Sequence, residues 1–282
     1  MTEMKTIGVV LNDGSRMGFN HSFFSEILEA FKLVAEEQGY TLLFLSNKEV
    51  HINHMTYVEQ IKAAGCAGCF VVCKEGDEEV DALRASGIPM AVIDEDYDDV
   101  ICVASDNAKG MELLTEYVIG MGHKKIAIIL GDDNTVTDVR FNAFLRVCEN
   151  HGITVPEEYI CRGKYRDIIQ TIYLTESLLK MKDVPSAIMF SDDFSAIGGM
   201  NIISARALII GKDISITGYD SNEVLSRLDP RLTTVRQDCV GMGQIAAEKL
   251  FAQIENPEVS QAGKYIVGVE LEKGYTVGRV YI

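Results

Sequence analysis

The chain has 282 residues, 47% of them hydrophobic and 24% charged, with a formal net charge of −16 at pH 7. That length points to two domains of roughly 140 residues each and that composition excludes wholesale disorder. A surface this acidic repels phosphate backbones, so this segment is not expected to touch DNA itself.

Apolar runs of strand length alternate with amphipathic stretches of helix length. Ile7–Leu11 is a continuous apolar run, as expected of a strand covered on both faces. From Ser22 to Gln38, Phe23, Phe24, Ile27, Leu28, Phe31, Val34 and Ala35 recur three and four apart, which predicts a helix stopped by Gly39. Thr41–Ser46, Gly68–Val72, Met90–Asp94 and Ile101–Ala104 read as strands, with helices at Tyr57–Ala64 and Val80–Ser86. The alternation then restarts. Helices are expected at Gly110–Met121, Arg140–His151, Asp167–Met181 and Ala196–Ala205, and strands at Lys125–Leu130, Ser186–Ser191 and Ile214–Gly218, with Tyr159–Arg162 short and extended. A helix at Gly241–Ile254 and a strand at Tyr265–Leu271 would complete the two sheets. Two such runs predict an α/β fold of two doubly wound parallel-sheet subdomains.

No apolar run reaches the ~18 residues of a membrane span, and Met1–Leu11 lacks the features of a secretory signal. With seven cysteines, an odd number, the expected compartment is the cytoplasm. Cys66 and Cys69 form a CxxC without a second pair or a histidine at zinc spacing, so they read as small hydrophobes. Asp94, Asp96 and Asp98 mimic the start of a calcium loop, but Asp99 and Ser105 stand where glycine and glutamate are needed. No dinucleotide fingerprint, P-loop, nucleophile elbow or HExxH occurs, and no cofactor, metal or catalytic residue is expected.

Open parallel sheets bind ligands at the carboxyl ends of their strands. The residues there are polar throughout: Asn12-Asp13, Ser46-Asn47, Asp94-Glu95, Ser105-Asp106-Asn107, Asp132-Asp133, Asp192-Asp193 and Tyr219-Asp220. Helix caps and turns explain each of them singly. As a set, they suit a neutral polyhydroxylated ligand.

Several stretches stand out as a set. They are Thr6-Ile7-Gly8-Val9-Val10, Phe23-Phe24-Ser25-Glu26-Ile27, Ile88-Pro89-Met90-Ala91-Val92-Ile93-Asp94, Asp106-Asn107-x-x-Gly110 and Gly122-His123-Lys124-Lys125-Ile126-Ala127. Further along come Ser191-Asp192-Asp193-x-x-Ala196-x-Gly198, Asp213-Ile214-Ser215-Ile216-x-Gly218-Tyr219-Asp220 and Leu232-Thr233-Thr234-Val235-Arg236-Gln237. Together, in order from about residue 5 to the end, they resemble the effector-binding core of the LacI/GalR transcription regulators.

The resemblance implies a periplasmic-binding-protein-like type I fold. Its subdomains would be 5–105 plus 237–264 and 106–236 plus 265–282, joined by three crossovers with the ligand cleft between them. It further implies a homodimer whose effector state is passed to operator DNA through helix-turn-helix headpieces. Those should precede Thr6, where only five residues stand, so the headpiece is expected to be absent from this chain. In the implied site, Phe23 and Phe24 stack on a ring with His21 beside them. Ser46 and Asp94 come from the next strand ends, Arg140 is the family's loop arginine, and Tyr165 is a second aromatic wall. Asp192 and Asp220 accept from hydroxyls, and Gln237 sits at the last crossover. The plainer reading of Phe23 and Phe24 is core, and at least one is expected there.

The chain departs from the family at several points. Asp192 stands for a usual Asn, His21 for a common Asn, and Cys239 for an often aromatic residue. Glu95 adds a carboxylate, and the first loop, Asn12 to Asn20, is long. The effector is therefore expected among sugars, amino sugars and related polyols. A second reading, a solute-binding protein of a sugar transporter, shares the fold, but the missing signal and the cysteines argue against export. An enzyme on this fold would need a nucleophile with a positioned base, and none can be named.

Overall fold

A computed structural model describes residues 5–12, 18–73, 75–221, 227 and 229–280. The Asp13 position and most of the first loop lie outside these. The chain divides into two units, Met1–Ser105 with Asp238–Val267, and Asp106–Gln237 with Gly268–Ile282.

Unit 1 contains β1 (Lys5–Asn12), α1 (Ser22–Glu37), β2 (Tyr40–Phe44), α2 (Tyr57–Ala64), β3 (Gly68–Cys73), α3 (Glu78–Ala85), β4 (Met90–Ile93) and β5 (Ile101–Ser105). To these the returning chain adds α8 (Cys239–Glu255) and β11 (Gly263–Val267). The six strands lie in the order β11-β5-β4-β3-β1-β2, every pairing parallel. Side chains alternate across the sheet as the period of two requires. Ile7, Val9, Phe70 and Val72 face α1 and α8, while Val10, Cys69, Val71 and Cys102 face α2 and α3. Cys69 and Cys102 are thus core residues, as their strand setting predicts. Gly243 lets α8 lie directly on α1, because a Cβ there would strike the Ile27 carbonyl oxygen.

Unit 2 contains α4 (Asn107–Gly120), β6 (Ile126–Leu130), α5 (Thr135–Asn150), β7 (Ile160–Arg162), α6 (Ile168–Leu179), β8 (Ala187–Phe190), α7 (Asp193–Ala205), β9 (Ser215–Thr217), β10 (Thr234–Gln237) and β12 (Val269–Glu272). A parallel sheet of order β7-β6-β8-β9 is joined by the antiparallel pair β10-β12. Its two faces hold separate apolar clusters, one with Leu114, Ile128, Phe144 and Tyr219 and one with Ile129, Leu178, Phe190 and Ile216.

The helix starts differ most from the sequence expectation. α5 begins at Thr135, five residues before Arg140, because Asn134 caps it through the Thr137 N–H. Arg140 therefore stands in the second turn of a helix and not in a loop. Likewise Asp192 starts α7 and Asp238 starts α8. The strand expected over Tyr265–Leu271 is two strands broken at Gly268. β11 pairs with β5, and β12 pairs with β10. The units accordingly part after Val267, and Gln237, paired with Val269, belongs to unit 2.

Candidate functional site

In unit 2 the carboxyl ends of the strands converge on Arg140, which is 6% exposed. Its Nε donates to Asn107 Oδ1 at 2.8 Å and its Nη1 to the Ser191 carbonyl at 3.4 Å. Its guanidinium lies over the Tyr219 ring at 3.6 Å from the centroid. The expected signature Asp106-Asn107-x-x-Gly110 builds this seat. Asp106 caps α4 through the Lys109 N–H, Asn107 supplies the acceptor, and Gly110 leaves room for the Tyr219 hydroxyl, which a Cβ there would strike.

Tyr165 is half-buried beside this seat. Its hydroxyl shares a 2.8 Å hydrogen bond with Thr137 Oγ1, and its N–H donates to Asp132 Oδ2 at 3.0 Å. The ring occupies the space that a side chain at Gly131 would need. Gly131, Thr137, Arg140, Tyr165, Phe190 and Ser191 together wall a small pocket.

Asp220 has φ 106 and accepts from Gln237 Nε2 at 2.8 Å. Burial pushes its carboxyl well above the usual range; Arg140 and Arg166 pull it back, while Asp192 and Asp193 push it further up. The Gln237 Oε1 is buried and has no hydrogen-bond partner among the described residues. Asp192 is 1% exposed. It caps α7 through the Ser195 N–H at 2.8 Å and also accepts from Ser195 Oγ, Ser191 Oγ and the Arg166 N–H.

In unit 1, His21 precedes α1 and packs on Phe24 with ring centroids 4.4 Å apart. Phe23 meets Phe24 edge-on at 5.1 Å. Phe23 is part of the core, as expected of at least one of the pair, while Phe24 is only partly buried against it. Ser46 is exposed, and its backbone is gripped on both sides by the amide of Gln60. Asp94 closes β4 in a left-handed conformation, φ 57, with its N–H on the Val103 carbonyl. Glu95 Oε1 accepts from the Cys73 thiol at 3.6 Å, and the Cys102 thiol donates to the Glu95 carbonyl. Burial first, then the charges of Glu75, Asp94 and Asp81, raise the Glu95 carboxyl to about 7, against the lowering effect of the Cys73 bond.

Burial also raises the thiols of Cys69, Cys73 and Cys102, so none of them is a ready nucleophile. His51 is engaged in shaping its own loop, where its Nδ1 accepts from the Asn53 and Met55 N–H groups. Among the described residues no group of three His, Cys, Asp or Glu side chains is placed to hold a metal ion. No helix there is long and apolar enough to cross a membrane.

The structure therefore brings Arg140, Tyr165, Asp192, Asp220 and Gln237 into one polar network in unit 2. It pairs His21 with Phe24 and Asp94 with Glu95 in unit 1. Asn107, Thr137, Tyr219 and Arg166 complete the unit 2 network, although the sequence alone assigned them no role. Asn107 and Tyr219 lay inside quoted motifs; nothing in the sequence marked Thr137 or Arg166.

A family model described as a periplasmic binding protein-like domain matches residues 115–277. The HTH-type transcriptional repressor PurR of Vibrio atlanticus is 26% identical over 259 residues, covering 90% of this chain and 76% of that protein. The HTH-type transcriptional repressor ExuR of Bacillus subtilis is 28% identical over 275 residues, covering 96% of this chain and 80% of that protein. A crystal structure of a LacI transcriptional regulator from Bacillus cereus subsp. cytotoxis superposes with a TM-score of 0.88 at 25% identity, covering 99% of this chain and 100% of that one.

Proposed function

The chain belongs to the periplasmic binding protein-like domain family; from that premise, and from its similarity to LacI-type repressors, we propose that it is the effector-binding core of a LacI-type transcription regulator and that the strand ends of unit 2 bind a sugar-like effector. The observation that carries this is the buried Arg140, whose guanidinium is fixed by Asn107, Ser191 and Tyr219. A preorganised fork of donors costs little further ordering when it meets a polyol. Tyr165 forms an apolar wall against a ring face, and Asp220 with Gln237 accepts from hydroxyls. On unit 1, His21 and Phe24 form an aromatic ledge, with Ser46, Asp94 and Glu95 at the neighbouring strand ends.

The protein works as a homodimer in the cytoplasm. Effector binding changes affinity for operator DNA by its unequal affinity for two conformations. Repressors, not transport proteins, are the relatives described above, which favours regulation over solute delivery.

The test is thermal unfolding against sugars, amino sugars, sugar phosphates and nucleobases. A ligand at about one hundred times its Kd adds ~2.7 kcal/mol of stability. A sugar response lost in Arg140→Lys supports the proposal. A response of equal size in both proteins counts against it.

A further inference from the structure

Asp192 is the acidic residue that replaces an amide in the family resembled, and the sequence alone suggested that it faces the effector. Its surroundings point elsewhere. The carboxylate is 1% exposed and takes four donors: the Ser195 N–H at 2.8 Å, Ser195 Oγ at 2.6 Å, Ser191 Oγ at 2.9 Å and the Arg166 N–H at 3.0 Å. Four is about the acceptor capacity of a carboxylate. Three of these bonds are local to the turn that starts α7. The fourth reaches across to the loop between β7 and α6.

That fourth bond holds a costly conformation. Arg166 has φ 60, in the left-handed region, which disfavours a residue with a Cβ. The same turn secures its other end, because the Arg166 guanidinium lies 3.7 Å over the ring of Phe194, two residues after Asp192. Tyr165, the aromatic wall of the pocket, is the residue immediately before Arg166. We infer that Asp192 is a positioning residue: by holding the Arg166 N–H it fixes the left-handed turn that sets Tyr165 against Gly131, and it does not itself touch the effector. This rests on the assignment of the effector site to unit 2.

The same geometry explains why a carboxylate stands here. Asparagine caps a helix as well as aspartate does, so the Ser195 N–H would be served by either. The Ser191 and Ser195 hydroxyls can rotate to meet an acceptor or a donor. The Ser195 and Arg166 N–H groups are both fixed donors and meet different oxygens, Oδ1 and Oδ2, so an asparagine that keeps its oxygen on the helix cap turns its nitrogen toward the Arg166 N–H and leaves two donors opposed. Asp192→Asn therefore removes the long-range bond and spares the cap.

The experiment uses the full chain without ligand, as wild type, Asp192→Asn, Arg166→Gly and the double variant. Amide exchange at Arg166 and the NMR signals of the Tyr165 ring are followed. In Asp192→Asn, Arg166 exchange should accelerate by about tenfold or more and the Tyr165 ring signals should move. Adding Arg166→Gly should return the ring signals toward wild type, because glycine adopts φ 60 without an anchor. Unchanged exchange and ring signals in Asp192→Asn overturn the inference, as does a displaced ring that glycine fails to restore. Titration of the four proteins with D-ribose, D-glucose and D-glucosamine then tests the contact itself. Affinity that falls in Asp192→Asn and stays low in the double variant, relative to Arg166→Gly alone, makes Asp192 an effector contact and overturns the inference. Affinity that follows the ring signals supports it. If none of the sugars binds any of the four proteins, the assignment of the effector site fails, while the ligand-free measurements still decide the positioning role.

Discussion

The Arg140 guanidinium lies 3.6 Å from the centre of the Tyr219 ring, and the room for that ring comes from a glycine more than one hundred residues away in sequence, Gly110. Gly110→Ala would drive a methyl group into the Tyr219 hydroxyl at the heart of a core cluster. Overpacking of this kind costs about 1–3 kcal/mol. Chemical denaturation should show that loss, together with a weakened response to any sugar that stabilises the wild type. Wild-type stability in Gly110→Ala would show that the Tyr219 ring can shift freely.

Arg140→Lys keeps the charge but not the planar fork. Lysine cannot supply both the Nε bond to Asn107 and the flat stack on Tyr219. Asn107, which is 7% exposed, then loses its donor, at a cost of about 1–3 kcal/mol. Urea unfolding should place the variant within that range below the wild type. A double-mutant cycle with Asn107→Ala should show the two losses to be non-additive; strict additivity would mean the bond contributes little.

Much of the architecture was legible because both sheets are buried on both faces, which makes their strands continuous apolar runs such as Ile7–Leu11 and Gly68–Val72. The short strand Thr234–Gln237 was not, since its four residues alternate weakly and its partner, Val269–Glu272, lies more than thirty residues away. Helix starts were missed where a polar cap precedes the apolar periodicity, as at Asn134 and Asp192. The cap explanation for polar strand ends holds at Asp106 and Asp192, so two acids that suggested a ligand-facing surface are already engaged. Arg140 was legible by resemblance. Its seat was not, because Asn107, Ser191 and Tyr219 come from three separate segments and nothing local to any of them reports the stacking.

Glu95 predicts a pH dependence. Its folded value of about 7 lies above the ordinary glutamate value of 4.5, so between these the folded state binds more protons than the unfolded one. Stability from this group is therefore fully present below about 4.5, falls as pH rises toward 7, and is flat above. Asp220, also raised by burial, acts in the same direction. Glu95→Gln should flatten much of the decline and leave the variant more stable than wild type at pH 8, by about 1–2 kcal/mol once solvent screening of a half-exposed group is allowed for. Thermal midpoints from pH 4.5 to 8 provide the check. Parallel curves for the two proteins would mean that Glu95 ionises without strain.

Gln60 governs the loop that follows β2. Its Nε2 donates to the carbonyls of Ser46 at 2.6 Å and Met55 at 2.8 Å, and its Oε1 accepts from the Ser46 N–H at 3.1 Å. One amide thus ties both ends of the loop while 8% exposed. Gln60→Glu is nearly the same size but replaces the only donor with a second acceptor. A carboxylate would then face two carbonyl oxygens, and burial would oppose its charge. The expected loss is about 1–3 kcal/mol at pH 8, smaller at pH 5, where a protonated carboxyl can donate one bond. Hydrogen exchange should locate the opening at residues 46–56 before the rest of unit 1 is affected. Exchange that rises uniformly through β1 and β3 instead would show that Gln60 supports the sheet as a whole and not the loop beside the strand ends.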